Sequence, residues 1–227
     1  MLYYYYCAIL FTSGIISGCD NKEEVQRKAF TEFLQSSAMQ NEKQLPMLNP
    51  DQKQQFGNYA NNYDIIYNFS QQINRIKDNG FSPVVAHFSA IQTPKDYITQ
   101  REAFRKDSGV LNELNQQFQA ARAQADSNKS QLKMPDDLKT VFDNFYAQKV
   151  TKPASQISTV LPALQSLTRD AAQAGDFLFE QGNNVKFDGL NVQFDNEQAA
   201  ATYNQMMDRL RLNGSTLDQA DYLLNRL

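Results

Sequence analysis

NPDQKQQFGNYANNYDIIYNFSQQINRIKDNG, residues 49–80, decides the architecture of this chain. It opens on Asn49-Pro50-Asp51: an asparagine able to accept from an unpaired amide, a proline whose φ suits a first helical residue, and an acid that opposes the helix dipole. A helix is expected to start there. Phe56, Tyr59, Tyr63, Ile66, Tyr67, Ile73 and Ile76 then recur at the three/four alternation of one helix face, and Asn79-Gly80 reads as a left-handed stop.

The proline device recurs on both sides of the next segment. Ser82-Pro83 predicts a short helix bearing Val84, Val85, Phe88 and Ile91, and Thr93-Pro94 a long one toward Ser130, with Phe104, Leu111, Leu114 and Phe118 on one stripe. Pro135 to Val150 forms another helix, and Pro153 opens the next, within which Pro162 is expected to kink or split the chain because its ring excludes an i−4 hydrogen bond. Upstream, Lys22 to Met39 is amphipathic, with Val25, Ala29, Phe33 and Leu34 on one side, and Gln40 to Asn49 reads as the most mobile linker. The period changes to two only at Val185–Phe194, where Asp188-Gly189 predicts a type I′ turn pairing Phe187 with Leu190 and Val185 with Val192. Asp195 is expected to cap a further helix, and Ser215 with Asp218 to form a capping box for the last, ending at Leu223, Leu224 and Leu227. The fold class is therefore mainly α, a multi-helix bundle with one small β-hairpin near residues 184–194.

The N-terminus carries an address. Residues 2–18 are uncharged, and Cys7 to Ile16 is an apolar core of signal-peptide length, too short for the roughly 20 residues of a comfortable membrane span. Met1 to Tyr6 lacks the Lys or Arg with which such segments usually open. Ile16-Ser17-Gly18-Cys19 looks like a bacterial lipobox: a branched apolar residue, two small residues that fit a peptidase groove, and a thiol that would accept diacylglycerol before cleavage between Gly18 and Cys19. Cys7 would leave with the signal, so Cys19 has no disulfide partner in the mature chain. Asp20, directly after the acylated position, resembles the enterobacterial signal for retention in the inner membrane. Three regions follow: 1–18, a lipoprotein signal peptide; 19–49, a lipidated N-terminus with amphipathic helix and linker; and 50–227, the helical domain with its hairpin.

Composition narrows the chemistry. With 22 basic and 25 acidic residues the formal charge is −3, which offers no field for nucleic acid. One His, two Cys and no Trp leave few groups for metal sites or nucleophile–base pairs, so neither a metal, a cofactor nor a catalytic residue is expected. His87, among Val84, Val85 and Phe88, sits in no catalytic motif and reads as a structural or surface histidine. Asp136-Asp137 could serve a hydrolase needing two carboxylates, yet directly after Pro135 they fit a helix N-terminus better. Tyr59, Tyr63 and Tyr67, spaced i, i+4, i+8, could stack a glycan or small ligand, but such a stripe is more often a buried seam.

Several strings are similar to the YiaF family of enterobacterial lipoproteins of unknown function: Gln26-Arg27-Lys28-Ala29-Phe30, Asp51-Gln52-Lys53, Gln55-Phe56-Gly57, Pro83-Val84-Val85, and Asp136-Asp137-Leu138-Lys139 with Val141-Phe142-Asp143. The resemblance covers nearly the whole mature chain and fades after about Leu210. It implies the lipoprotein address and assigns no catalytic residue or cofactor. The expected role is a lipid-anchored protein on the periplasmic face of the inner membrane, acting by contact with an envelope protein partner. An envelope hydrolase of peptidoglycan or lipid, and a small-ligand or glycan carrier, are the alternatives.

Overall fold

The computed structural model describes residues 17–39 and 44–226, the side chains of residues 17–20 excepted. The apolar signal segment, the Gln40–Lys43 part of the linker and Leu227 lie outside the described residues. The described helices are α1 (Ser17–Met39), α2 (Pro50–Phe56), α3 (Tyr59–Ile76), α4 (Ser82–Ser89), α5 (Asp96–Ser130), α6 (Asp136–Tyr146), α7 (Lys152–Gln181), α8 (Glu197–Leu212) and α9 (Ser215–Arg226), with a hairpin, β1 (Val185–Asp188) and β2 (Asn191–Phe194), between α7 and α8. None of them is long and apolar enough to cross a membrane. The mainly-α expectation holds, and so does the single small hairpin.

The deciding stretch starts as expected. Asn49 accepts from the Gln52 amide at 2.8 Å while the Gln52 side chain accepts from the Asn49 amide at 3.0 Å, a reciprocal cap ahead of Pro50. The helix then breaks where continuity was expected: Gly57 has φ +56° and ends α2, and α3 begins at Tyr59. Gly80, expected to stop the helix, does not. It lies inside a π-helical turn, Lys77–Phe81, that carries α3 straight into α4. Its missing Cβ serves close approach instead, since one there would come within 3.0 Å of Leu114 and 3.2 Å of Leu111 on α5.

A second π turn, Ala147–Thr151, joins α6 to α7, so Pro153 does not open a new helix either. Each π turn ends on the residue two before a proline, and the intervening amide reaches back five residues, Ser82 to the Lys77 carbonyl and Lys152 to the Ala147 carbonyl. A widened turn shifts the backbone ahead of the ring, which lets a helix absorb a proline that would otherwise meet the i−4 carbonyl. Pro162 has no such turn, yet α7 remains one helix through it and is not split.

The core runs from α1 to α9. Phe30 and Leu34 of α1 are fully buried, whereas Val25, expected on the buried side, is 60% exposed. Leu45 and Leu48, in the described part of the stretch read as a mobile linker, are buried in the same core. The longest seam is α5 against α7, where Gly175 lets α7 press on Tyr97 and Arg101.

The hairpin forms with each partner two positions further along than expected, the turn itself moving by one residue. Asp188 pairs with Asn191, Phe187 with Val192 and Val185 with Phe194, so the turn is Gly189-Leu190. Among the described residues only glycines have positive φ, Gly189 at +56° among them. A type I′ turn needs positive φ at both central residues, which neither Asp188 nor Leu190 adopts; a turn of the II′ kind needs it only at the first, where glycine stands. Val185, Phe187, Val192 and Phe194 therefore share the face that packs on Leu178 and Tyr203, and Leu190 is left at the tip, 75% exposed. Asn196 caps α8 in place of Asp195, accepting from the Ala199 amide at 2.8 Å. Ser215 is the first residue of α9 and not the flanking residue that a capping box requires.

Candidate functional site

The tyrosine stripe is a seam that holds α1 to the bundle. Phe30 stacks on Tyr59 with ring centroids 5.9 Å apart, and the Tyr59 hydroxyl donates to the Glu23 carboxylate. Burial first, then that carboxylate, push the Tyr59 hydroxyl up to about 12. Tyr63 is 0% exposed; its hydroxyl donates to the Pro46 carbonyl at 2.8 Å, and its ring lies against Phe33, Tyr67 and Phe145. Tyr59 and Tyr67 are half-buried. The three tyrosines do not form an open stacking platform, because the middle one is enclosed by Phe33 of α1 and Phe145 of α6.

The anchor end of the molecule is more open. The α1 backbone is helical from Ser17, so Gly18, Cys19 and Asp20 fall in its first turn, while their side chains lie outside the described residues. One turn on, α1 and α2 flank a shallow, solvent-open hollow of about 540 Å³ lined by Asn21, Lys22, Val25, Gln26, Gln54 and Gln55. A second, of about 470 Å³, adjoins it and reaches Glu23, Gly57 and Asn58. The Gln26 amide lies against bare Gly57, so close that a Cβ there would overlap it. Arg27 faces Asp137 at 3.7 Å, tying α1 to the first turn of α6. Asp136 and Asp137 thus occupy a helix N-terminus, and the second of them faces a guanidinium.

His87 has a partner that sequence reasoning missed. Its Nδ1 is 2.6 Å from Oδ2 of Asp107, a buried carboxylate on α5. A signal was present: Phe104, Asp107, Leu111, Leu114 and Phe118 continue one three/four stripe, so Asp107 takes a core position where an acid needs a partner. The pair pins α4 to α5. The Asp107 carboxylate at Nδ1 fixes the orientation of the imidazole between α4 and α5.

Other helix contacts also bring opposite charges together. Arg105 grips Asp176 across the α5–α7 seam at 2.7 and 2.8 Å. Asp143 receives Lys139 at 2.6 Å and Lys129 at 2.9 Å, which hold its carboxyl below the ordinary 3.8. Tyr146 donates to Asp126 at 2.7 Å, and burial first, then that carboxylate, raise its hydroxyl. No group of three or more His, Cys, Asp or Glu that could hold a metal ion occurs among the described residues.

Comparison with known proteins places this sequence in a family. Residues 7–225 match the family described as Protein of unknown function (DUF3053). The chain is 42% identical over 205 residues to the uncharacterized protein YiaF of Escherichia coli K12, and to that of Shigella flexneri, covering 90% of this chain and 87% of each relative. No solved structure matches. The chain belongs to the DUF3053 family of proteins of unknown function.

Proposed function

We propose that the chain is a lipoprotein of the bacterial cell envelope, tethered through Cys19 to the periplasmic face of the inner membrane, whose helical body acts by binding a protein partner. The observation that carries this reading is the string Ile16-Ser17-Gly18-Cys19-Asp20 directly after an uncharged apolar segment. A diacylglycerol thioether and an acylated amine would give Cys19 three chains. At about 0.8 kcal/mol per buried methylene one chain holds a protein reversibly and two or more hold it stably. Asp20 directs retention in the inner membrane. In this role the lipid supplies location and the body supplies a recognition surface, with no residue catalytic. Labelling with a palmitate analogue tests the anchor: incorporation into the wild-type chain and none into Cys19→Ala is the expected result, and equal labelling of both removes the proposal.

A further inference from the structure

The geometry points to the hollow between α1 and α2 as a seat for phospholipid headgroups, so that the body docks on the bilayer instead of swinging from it. This inference rests on the lipid anchor proposed at Cys19.

The first support is distance. Because α1 is helical from Ser17, the anchor is followed by rigid backbone and not by a slack tether. At about 1.5 Å per residue along the axis, Lys22 is about 5 Å from Cys19 and Gln26 about 10 Å. The polar layer on each side of a bilayer is about 5–8 Å deep. An upright α1 therefore sets the hollow at the outer edge of the headgroups, and a tilted α1 sets it among them. The opposite wall cannot retreat, because Phe30 packs on Phe56 and Tyr59, and Tyr59 holds Glu23, which fixes the α2–α3 junction beside the first turns of α1.

The second support is chemistry. The walls present the amides of Asn21, Gln26, Gln54 and Gln55 together with the Lys22 ammonium, which makes no ion pair with a described residue. Lysine and amide N–H groups donate to phosphate and ester oxygens, and the amide carbonyls accept from a headgroup ammonium or glycerol hydroxyl. Glu23, the acid in the adjoining hollow, is turned onto the Tyr59 hydroxyl. Exposed Val25 offers an apolar foot between the amides. Such a surface suits a mixed zwitterionic and anionic bilayer.

Lipidated full-length protein carrying Gln54→Cys or Leu190→Cys, each labelled with an environment-sensitive fluorophore, can be reconstituted into phosphatidylethanolamine–phosphatidylglycerol vesicles bearing a lipid-phase quencher. Both sites are exposed, so neither substitution disturbs the core. Gln54 is remote in sequence from the anchor, and Leu190 lies beyond the far end of α7. The expected result is severalfold stronger quenching at position 54 than at 190, reduced by adding Gln55→Glu and Gln26→Glu. Protein that floats with the vesicles but is quenched equally at both positions overturns the docked arrangement and leaves the anchor standing; protein that does not float overturns both.

Discussion

Two seams hold this bundle together by opposite means. Between α5 and α7 the backbones close in: a Cβ at Gly175 would come within 2.3 Å of the Tyr97 carbonyl oxygen, and Ala171, Ala172 and Ala174 leave the same stretch of α7 small. Between α1 and the bundle, by contrast, rings span the gap, with Phe30, Phe33, Phe56, Tyr59 and Tyr63 meeting at centroid distances of 5.0 to 5.9 Å. A close-backbone seam fails by overpacking and an aromatic seam by cavity formation, so each is vulnerable to the opposite substitution. The difference also separates roles. The tight seam sets the long axis, and the aromatic seam attaches the helix that would bear the lipid.

The largest effect should come from emptying the aromatic seam. Phe30→Ala is expected to cost about 3–5 kcal/mol, the range for removing a buried ring. Hydrogen exchange should then rise in α1 and α2 before α5 and α7; uniform acceleration would show that the two seams are one cooperative unit. Gly175→Val attacks the other seam. With main chain in the way and no flexible side chain to yield, it should approach or exceed about 3 kcal/mol, the upper end for an overpacked core. Chemical denaturation reads it directly, and a loss no larger than that of a surface substitution would disprove the close approach.

Gly109, on α5 of the same seam, sharpens the contrast because nothing lies within 4 Å of a Cβ built there. Gly109→Ala should stabilise the protein by about 1 kcal/mol through helix propensity alone, measured as a higher denaturation midpoint. The smallest effect concerns pH. Hydrogen bonding from Lys139, then Lys129, keeps the Asp143 carboxyl below 3.8, so its contribution is present above that value and is lost as pH falls through the lower folded pKa. The melting-temperature gap between wild type and Asp143→Asn should therefore be constant near neutrality and close below about pH 4; a gap that persists at lower pH refutes the assignment.

Legibility in the sequence followed the range of the forces involved. The Asn49 cap could be read because its partners are three residues apart. Asn79-Gly80 and Pro153 misled for the same reason: each carries a local stop or start signal, but burial against α5, or a widened turn, makes continuation the better solution in the folded chain. The hairpin was visible in its alternation, while its register turned on which residue must take positive φ, and Gly189 left Leu190 outside. Asp107 was the partner of His87 on another helix, and only its place in an apolar stripe hinted at it.

What the sequence determined by itself is the helical class, the hairpin's existence, the family, and the lipobox string on which the proposed anchor rests, since each depends on residues close together in the chain. Only the tertiary structure decided that α1 is clipped to the core by rings, that Tyr63 is enclosed, that two helix pairs run on through π turns, and that amides from α1 and α2 line one hollow. Those outcomes depend on contacts between residues tens of positions apart, where burial and close packing outweigh the preference of any single segment.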